Sequence, residues 1–200
     1  LRLLNRQAYY DEYAKTRWSG SETFTHIGQP FAELSGKRWG IVGLGTIGRR
    51  VAEVASAFGC DVVYTSTSGR NHTPDYPRLE LDELLASCDV VTIHAPLNEH
   101  THNLIDRREL DLLRPGCVLV NMGRGGIVNE AALAAALDER DLFAGADVVS
   151  TEPIPSDHPL LHVKRRERLS LTPHMSWASV ESRRRLLAGI VRNIEQTFEA

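Results

Sequence analysis

The chain has few cysteines and no long hydrophobic run, and both features restrict what it can be. Three cysteines among 200 residues form no C-x-x-C pair, and so sparse a set is typical of a reducing compartment. No stretch approaches the roughly 18 consecutive apolar residues of a membrane span, and no charged-then-apolar leader opens the sequence. The sequence therefore predicts a cytoplasmic protein with no membrane partner.

The chain also lacks an excess of positive charge. Its 23 Lys and Arg residues against 26 Asp and Glu residues give a formal net charge of −3. Nucleic-acid-binding proteins usually carry a basic footprint, so the composition predicts no nucleic-acid partner. Two basic runs, at 164–166 and 183–185, are typical of a solvated loop and a solvated helix face.

No metal site is expected, although the chain has eight histidines. His94, His100 and His102 are close in sequence, but they lack the helical i, i+4 spacing and the cysteine or carboxylate partners of a metal site. The histidines at 26, 72, 158 and 162 fall in loop-like surroundings and indicate no function.

Residues 1–35 differ from the rest because they lack a regular apolar period. The first 13 residues could form a helix, and an extended arm is predicted to follow. Trp18, Phe24 and Phe31 are large apolar residues in a segment with no core of its own. We therefore expect this arm to contact a partner subunit, most simply in a homodimer. The sequence begins with Leu1 rather than Met, which leaves its natural start open.

Residues 36–175 show a regular alternation of apolar strands and helices. Continuous apolar strands separated by helices are typical of a parallel sheet covered on both faces. The expected fold class is therefore α/β, with a Rossmann-like doubly wound parallel sheet and flanking helices. Asn129 is predicted to cap the helix that follows it. Strands are predicted at 39–44, 62–64, 90–93, 118–121, 143–149 and 169–171, and helices at 47–58, 81–86, 107–113 and 129–138.

Residues 176–200 carry an apolar stripe at helical spacing and predict a long C-terminal helix. Its other face is strongly charged, so we expect it to pack across the domain rather than to enter a membrane. The stripe consists of Leu186, Leu187, Ile190, Val191, Ile194 and Phe198.

A glycine fingerprint, Gly43-Leu44-Gly45-Thr46-Ile47-Gly48, lies between the first predicted strand and the helix after it. That context is the one in which G-x-G-x-x-G binds a dinucleotide. Gly43 allows the tight turn, Gly45 lets the backbone approach the pyrophosphate, and Gly48 permits close contact between helix and strand. The amides of Thr46 and Ile47 at the helix start are expected to bind the phosphates.

The acidic residue that normally binds the adenosine ribose after the second strand is missing. In its place the chain has Ser66, Thr67, Ser68 and, two residues later, Arg70. Without a carboxylate nothing there repels a 2′-phosphate, and Arg70 could pair with one. This pattern favours NADP over NAD. In the alternative, Arg70 is solvated and the hydroxyl groups bind the ribose of NAD.

Three residues further along the chain have the chemistry needed to reduce a 2-keto acid. Arg124 is a fork-shaped cation that can hold a carboxylate and polarise a ketone. His174 can deliver a proton, and a carboxylate such as Glu152 can orient its ring and stabilise the imidazolium. Each residue alone also fits an ordinary structural role, and it is their combination behind a dinucleotide fold that indicates an oxidoreductase.

The chain resembles the D-isomer-specific 2-hydroxyacid dehydrogenases, and it is most similar to their glycerate dehydrogenase/hydroxypyruvate reductase branch. The resemblance rests on five segments in order, at 43–48, 94–97, 121–129, 147–153 and 172–179. It implies that Arg124 binds substrate, that His174 is the general acid/base, that Glu152 is its partner and that Asp147 meets the nicotinamide amide. It further implies that the cofactor runs along Ala95, Pro96, Thr101, Met122, Gly123, Arg124 and His174.

The same resemblance implies a dimeric enzyme with two domains around a cleft. The substrate domain would precede residues 1–35, and the C-terminal helix would return toward it, so activity of this chain alone stays open. Hydroxypyruvate and glyoxylate are the substrates that the resemblance suggests. Alternatives are a non-catalytic nucleotide-binding protein, a corepressor-like regulator gated by NAD(H), or a formate or phosphoglycerate dehydrogenase. Glu152 disfavours the formate type, which relies on an Arg, Gln and His set.

Overall fold

The computed structural model describes residues 2–70 and 72–198, which form one six-stranded sheet with helices around it. All neighbouring strands are parallel, in the order β2-β1-β3-β4-β5-β6. The strands are β1 (Arg38–Val42), β2 (Asp61–Thr65), β3 (Val90–Ile93), β4 (Cys117–Asn121), β5 (Leu142–Ala146) and β6 (Leu169–Leu171). The helices are α1 (Gln7–Thr16), α2 (Thr46–Ala57), α3 (Leu81–Ser87), α4 (Arg107–Leu112), α5 (Glu130–Glu139) and α6 (Val180–Phe198).

Both faces of the sheet are covered, as the continuous apolar strands require. On one face α3, α4 and α5 enclose the largest core cluster, in which Leu84, Leu110 and Leu137 are fully buried. On the other face α2 packs against β1 and β2, and the N-terminal segment adds Leu3 and Leu4 over the middle of the sheet. The strand order reverses between β1 and β3, which gives the sheet its topological switch point.

The Rossmann-like doubly wound fold expected from the sequence is confirmed. Strands β3 and β6 match their predicted runs residue for residue, and Asn129 caps α5 by accepting a hydrogen bond from the Ala132 amide at 3.1 Å. The fifth strand ends at Ala146, earlier than its apolar run. Val148 and Val149 are buried in a loop instead, so apolarity there reflects burial rather than strand pairing.

The N-terminal segment begins with turns rather than with helix. Arg6 has a left-handed backbone with φ of 51°, and α1 starts only after it. A 3₁₀ turn at Trp18–Gly20 leads into an arm without regular structure, in which Phe24 and Phe31 are exposed. Tyr13 stacks on His26 with ring centroids 3.5 Å apart, so the arm folds back onto α1. Leu1, the first residue of the predicted helix, lies outside the described residues.

The long C-terminal helix forms, but the expectation that it packs across the domain is wrong. None of the described residues of α6 is buried, and Leu187 and Ile194 are 63% and 52% exposed. The three core clusters are formed by other elements and contain no residue of α6. Its apolar stripe therefore has no partner within the described ranges; Glu199 and Ala200, the last two residues of the predicted helix, lie outside them. No described helix is long and apolar enough to span a membrane.

Candidate active site

Six loops meet at one edge of the sheet. Because all strands are parallel, their carboxyl ends lie along the same edge, where ligands of open α/β sheets bind. The sequence motifs that follow the strands therefore come together there. From β2 across to β6, the first loop residues are Ser66, Gly43, His94, Met122, Asp147 and Thr172.

The turn between β1 and α2 is built from three glycines with different surroundings. Gly43 has φ of 95°, and a side chain on it would meet the Ala95 amide nitrogen at 2.8 Å, so glycine alone fits without strain. A Cβ at Gly48 would overlap the Gly43 carbonyl, whereas a Cβ at Gly45 would meet nothing within 4 Å. Gly43 and Gly48 thus keep the turn tight, and Gly45 leaves open space beside it.

Helix α2 begins at that open position. Gly45 is its N-cap residue and supplies no side-chain hydrogen bond to the first amides. Thr46 and Ile47, the first two helical residues, are exposed. Uncapped amides and the helix dipole together favour an anion such as a phosphate group at this end of α2.

A cleft of about 530 Å³ adjoins the glycine turn at the switch point. Thr67, Ser68 and Arg70 line it from the loop after β2, and Ala95 and Pro96 line it from the loop after β3. The Ser66 hydroxyl is buried and has no hydrogen-bond partner in the described part of the chain. Ser66 itself does not line the cleft, so Thr67 and Ser68 are the hydroxyl-bearing residues of this loop that a ligand there would meet. The uncapped helix, the open glycine and the cleft lining of Thr67, Ser68 and Arg70 fit a phosphorylated nucleotide.

The loop after β3 is fixed by hydrogen bonds around His94. Its Nε2 lies 3.0 Å from the Thr92 hydroxyl, which also accepts a hydrogen bond from the Trp39 indole at 3.0 Å. Burial lowers the pKa of His94 to about 4, so the ring is neutral at neutral pH. Thr101 is fully buried, and its hydroxyl donates to the Pro96 carbonyl at 2.6 Å. The Thr101 side chain therefore holds this loop rather than lining the cleft.

Asn121 organises the loop after β4. Its Oδ1 accepts a hydrogen bond from the Gly123 amide at 3.1 Å, and its Nδ2 donates to the Arg124 carbonyl at 2.9 Å. Met122 and Arg124 are consequently exposed at the sheet edge. The Arg124 guanidinium donates to the Gly123 carbonyl at 2.8 Å and pairs with no carboxylate among the described residues. Its charge is thus available to an anionic ligand.

Glu152 and His174 form a short hydrogen-bonded pair. His174 Nδ1 lies 2.6 Å from Glu152 Oε2, and Glu152 Oε1 accepts a hydrogen bond from the Val149 amide at 3.1 Å. The bond from His174, followed by that from Val149, lowers the pKa of Glu152, which keeps the carboxylate ionised. His174 Nε2 has no partner among the described residues, and its side chain is 40% exposed. This nitrogen is therefore the one that can exchange a proton with a ligand.

The backbone of His174 is held in an unusual conformation. Its φ of 48° is in the left-handed region, which is uncommon for a residue other than glycine and recurs at functional sites. The His174 amide donates to the Asp147 carbonyl at 2.8 Å, and its carbonyl accepts from the Trp177 indole at 3.0 Å. The two hydrogen bonds, one to the amide and one to the carbonyl of His174, fix its backbone and therefore the orientation of its side chain.

Asp147 is buried and accepts four hydrogen bonds through its carboxylate. Oδ1 accepts from the Thr172 hydroxyl at 2.6 Å and the Met175 amide at 2.9 Å, and Oδ2 accepts from the Ser176 amide at 2.9 Å and hydroxyl at 2.5 Å. Burial alone would raise the pKa of Asp147, but these bonds outweigh it and lower the pKa. The carboxylate thereby fixes the loop that carries His174.

A second cavity, of about 630 Å³, lies beside the Glu152–His174 pair. Asp147, Glu152 and His174 border it, and the rest of its lining is mostly apolar, including Val149, Pro153, Ile154, Leu171 and Pro173. The imidazole of His174 therefore borders a cavity whose lining is mostly apolar.

The residues predicted from the sequence lie around these two cavities and on the loop between them. Gly43, Gly45, Thr67, Ser68 and Arg70 line the first cleft, whereas Ser66 and Gly48 do not, and Asp147, Glu152 and His174 line the second. Arg124 lies on the intervening loop, whose Gly125 touches the Val149 backbone so closely that a Cβ would overlap it. No group of three or more His, Cys, Asp or Glu residues able to hold a metal ion occurs in residues 2–70 and 72–198.

Sequence reasoning missed two residues that support these loops. The loop-like surroundings of His158 in the sequence indicated no function, but its side chain is 7% exposed and lies 2.9 Å from Glu130 Oε2. Glu130 accepts hydrogen bonds from both the Arg124 loop and the Glu152 loop. A single sequence shows Glu130 only as an acidic first-turn residue of α5, and nothing in its spacing marks His158 as its partner.

Comparison with known proteins points to one family. The sequence profile described as "D-isomer specific 2-hydroxyacid dehydrogenase, NAD binding domain" matches residues 1–176. The chain is 37% identical over 185 residues to a hydroxypyruvate reductase of Blautia hydrogenotrophica, with 90% of this chain and 56% of the relative covered. It is 34% identical over 188 residues to a glycerate dehydrogenase of Methylorubrum extorquens, with 94% of this chain and 58% of the relative covered.

A solved structure gives the same picture. A D-lactate dehydrogenase from Aquifex aeolicus, crystallised with NAD and lactic acid, superposes with a TM-score of 0.87 at 25% identity. The superposition covers 99% of this chain and 63% of that one. The chain thus spans a little over half the length of these relatives.

Proposed function

The chain belongs to the D-isomer-specific 2-hydroxyacid dehydrogenase family, and on that premise we propose that it forms the cofactor-binding and catalytic part of an enzyme that reduces a small 2-keto acid with NAD(P)H. The observation that carries the proposal is the Glu152–His174 pair, whose free Nε2 lies at the same sheet edge as the glycine turn. Hydroxypyruvate and glyoxylate are the proposed substrates. The names of the relatives, hydroxypyruvate reductase and glycerate dehydrogenase, support this substrate class.

In the proposed reaction the bound nicotinamide cofactor supplies a hydride to the ketone carbon. His174 donates a proton from Nε2 to the developing alkoxide, because Nδ1 is engaged by Glu152. Glu152 holds the ring in that orientation and stabilises the imidazolium. Arg124 binds the substrate carboxylate with its planar fork and stabilises the negative charge that develops on the ketone oxygen.

The cofactor is proposed to lie along the carboxyl edge of the sheet. Gly43, Gly45 and Gly48, with the amides of Thr46 and Ile47, would hold the pyrophosphate, and the loop of Ser66, Thr67 and Ser68 would meet the adenosine ribose. Asp147 and His174 would border the nicotinamide. The further contacts proposed along the way are Ala95, Pro96, Met122, Gly123 and Arg124, while buried Thr101 would act by shaping the loop.

We propose NADP as the preferred cofactor. The loop after β2 presents hydroxyl groups and Arg70 to the cleft, and its residues 65–70 include no carboxylate. A 2′-phosphate on the ribose would therefore meet a cation and neutral donors instead of the carboxylate that normally binds the free hydroxyl.

Replacing Arg70 with Ala is expected to weaken NADPH binding and to leave NADH binding unchanged. A hydrogen bond to a charged group contributes about 1.5–3 kcal/mol, so the NADPH dissociation constant should rise roughly 10- to 100-fold. Tryptophan fluorescence quenching measures both constants. Arg50→Ala is the matched control, since Arg50 is 76% exposed on α2 and paired with Glu53. Equal losses for NADPH and NADH would rule out the 2′-phosphate contact.

The proposed activity is tested by adding hydroxypyruvate, and separately glyoxylate, to the purified chain with NADPH and with NADH. The expected result is a fall in nicotinamide absorbance that depends on the keto acid, faster with NADPH. Cofactor binding without oxidation, measured by fluorescence quenching, would contradict catalysis by this chain and favour a nucleotide-binding role without turnover.

We further propose a homodimer in the cytoplasm. The arm exposes Trp18, Phe24, Ile27 and Phe31, with Phe24 at 91% exposure, and a partner subunit that packed on the arm would bury these large apolar side chains. The three cysteines are free thiols, which suits a reducing compartment.

A further inference from the structure

A carboxylate outside the candidate active site takes four hydrogen bonds from three separate segments. Glu130, the first residue of α5, has a side chain that is 11% exposed. Its Oε1 accepts from the Ser150 amide at 2.6 Å and the Gly126 amide at 3.3 Å. Its Oε2 accepts from the Ser150 hydroxyl at 2.7 Å and from His158 Nε2 at 2.9 Å. A carboxylate so fully satisfied is a strong and rigid connection.

The segments that Glu130 connects are those that carry the proposed chemistry. Gly126 lies two residues after Arg124, and Ser150 lies two residues before Glu152. The two loops also touch directly, because Gly125 packs on the Val149 backbone. Val149 in turn donates its amide to Glu152, which holds His174. A displacement at Glu130 would therefore reach both the guanidinium and the Glu152–His174 pair.

His158 makes the fourth hydrogen bond to Glu130. Its ring is buried, and its Nδ1 accepts a hydrogen bond from the Leu160 amide at 3.3 Å. Because Nδ1 accepts, Nε2 must carry the proton, so it donates to Glu130. The bond from Leu160 thus selects the tautomer that the carboxylate requires.

We propose that the Glu130–His158 pair is a positioning unit that sets the distance between the Arg124 loop and the Glu152–His174 pair. The inference rests on the proposed function for its consequence in turnover, since Arg124 and His174 would have to contact one substrate. Neither Glu130 nor His158 lines either cavity of the site, so both act through the loops.

The test compares variants that keep or remove donation to Glu130. In Glu130→Gln an NH₂ group replaces one carboxylate oxygen and faces the donors of Ser150 or His158. The hydrogen bonds that join the loops through residue 130 should therefore be lost. His158→Leu removes one donor, whereas His158→Gln can still donate through its side-chain amide and should rescue. His162→Gln is the matched control, because His162 is exposed and, among the described residues, its ring bonds only to the Ser156 carbonyl at 3.1 Å. The readouts are the NMR signal of the His174 Nδ1 proton, the NADPH dissociation constant and kcat/KM for hydroxypyruvate.

Glu130→Gln and His158→Leu should shift or broaden the His174 proton signal, leave NADPH affinity unchanged and lower kcat/KM roughly 100-fold, as expected for misplacement of reacting groups. His158→Gln and His162→Gln should match the parent chain. A folded Glu130→Gln chain with an unchanged His174 signal would overturn the proposal; if that variant does not fold, the same result in His158→Leu would do so. Because the NMR readout needs no turnover, a parent chain without activity would contradict the proposed function and leave this test intact.

Discussion

Replacing His174 with Ala should lower the rate of keto-acid reduction by roughly 10²- to 10⁴-fold, the range that general acid catalysis contributes. The loss should appear in kcat, because the proton from Nε2 is needed only as the alkoxide develops. Cofactor affinity should change little, since the phosphate-binding turn lies at the other end of the sheet edge. Stopped-flow nicotinamide absorbance and fluorescence quenching give the two quantities separately.

Two companion variants sharpen this expectation. Glu152→Gln keeps the shape of the partner but removes the charge that stabilises the imidazolium, so kcat should fall while the NADPH dissociation constant is retained. His162→Ala removes an exposed imidazole that lines neither cavity and should leave kcat as it is. If the His174→Ala chain turned over hydroxypyruvate at the parent rate, the assignment of His174 as the proton donor would be wrong.

Replacing Asp147 with Asn should destabilise the folded chain by about 3 kcal/mol. An amide can accept on only one side, so either the Met175 amide or the Ser176 amide would face an NH₂ group. Loss of hydrogen bonds to a buried charge costs about 1.5–3 kcal/mol each. For a chain of this size the midpoint of thermal unfolding should fall by roughly 10 °C. Asp141→Asn, at an exposed carboxylate, is the matched control and should cost under about 0.5 kcal/mol.

The stability that Asp147 provides should depend on pH in a defined direction. Hydrogen bonds lower its pKa in the folded chain, while the unfolded chain has the ordinary value of about 3.9. The contribution is therefore complete above that ordinary value and is lost as the pH falls through the lower folded value. The difference in unfolding free energy between the parent and Asp147→Asn should be constant near neutral pH and shrink in acid. A difference that grew in acid would contradict the ionised state of Asp147.

Much of the fold could be predicted because the sheet is buried on both faces. Runs such as Val90–Ile93 and Leu169–Leu171 are continuous in the sequence and coincide with strands. The fifth strand was predicted too long for the same reason. Val148 and Val149 are buried in a loop, where Gly125 packs on the Val149 backbone, and a buried loop is as apolar in sequence as a buried strand. The C-terminal helix was predicted as a helix but misplaced, because periodicity reports an apolar face and not which surface covers it.

The part of the candidate site that could be predicted consists of residues in loops that follow the strands. His174, Glu152 and the glycine turn each occupy a short motif, and parallel topology alone brings such motifs to one edge. The supporting contacts were not predictable, because Glu130 and His158 are 28 residues apart and their bond depends on how two loops fold. The four-donor shell of Asp147 likewise joins residues 25 to 29 positions apart. Local sequence carries no signal for partners at such separations.

The spacing of the strands also sets the length that a ligand of this sheet edge must have. Neighbouring strands lie about 4.8 Å apart, so Ser66 after β2 and His174 after β6 belong to loops separated by five spacings, roughly 24 Å along the edge. A molecule that contacts both loops must therefore be long, and the part that joins its two ends must pass the glycine turn after β1. Once either end is bound, the tether confines the other near its own subsite, so the whole molecule gains a chelate advantage over its separated halves.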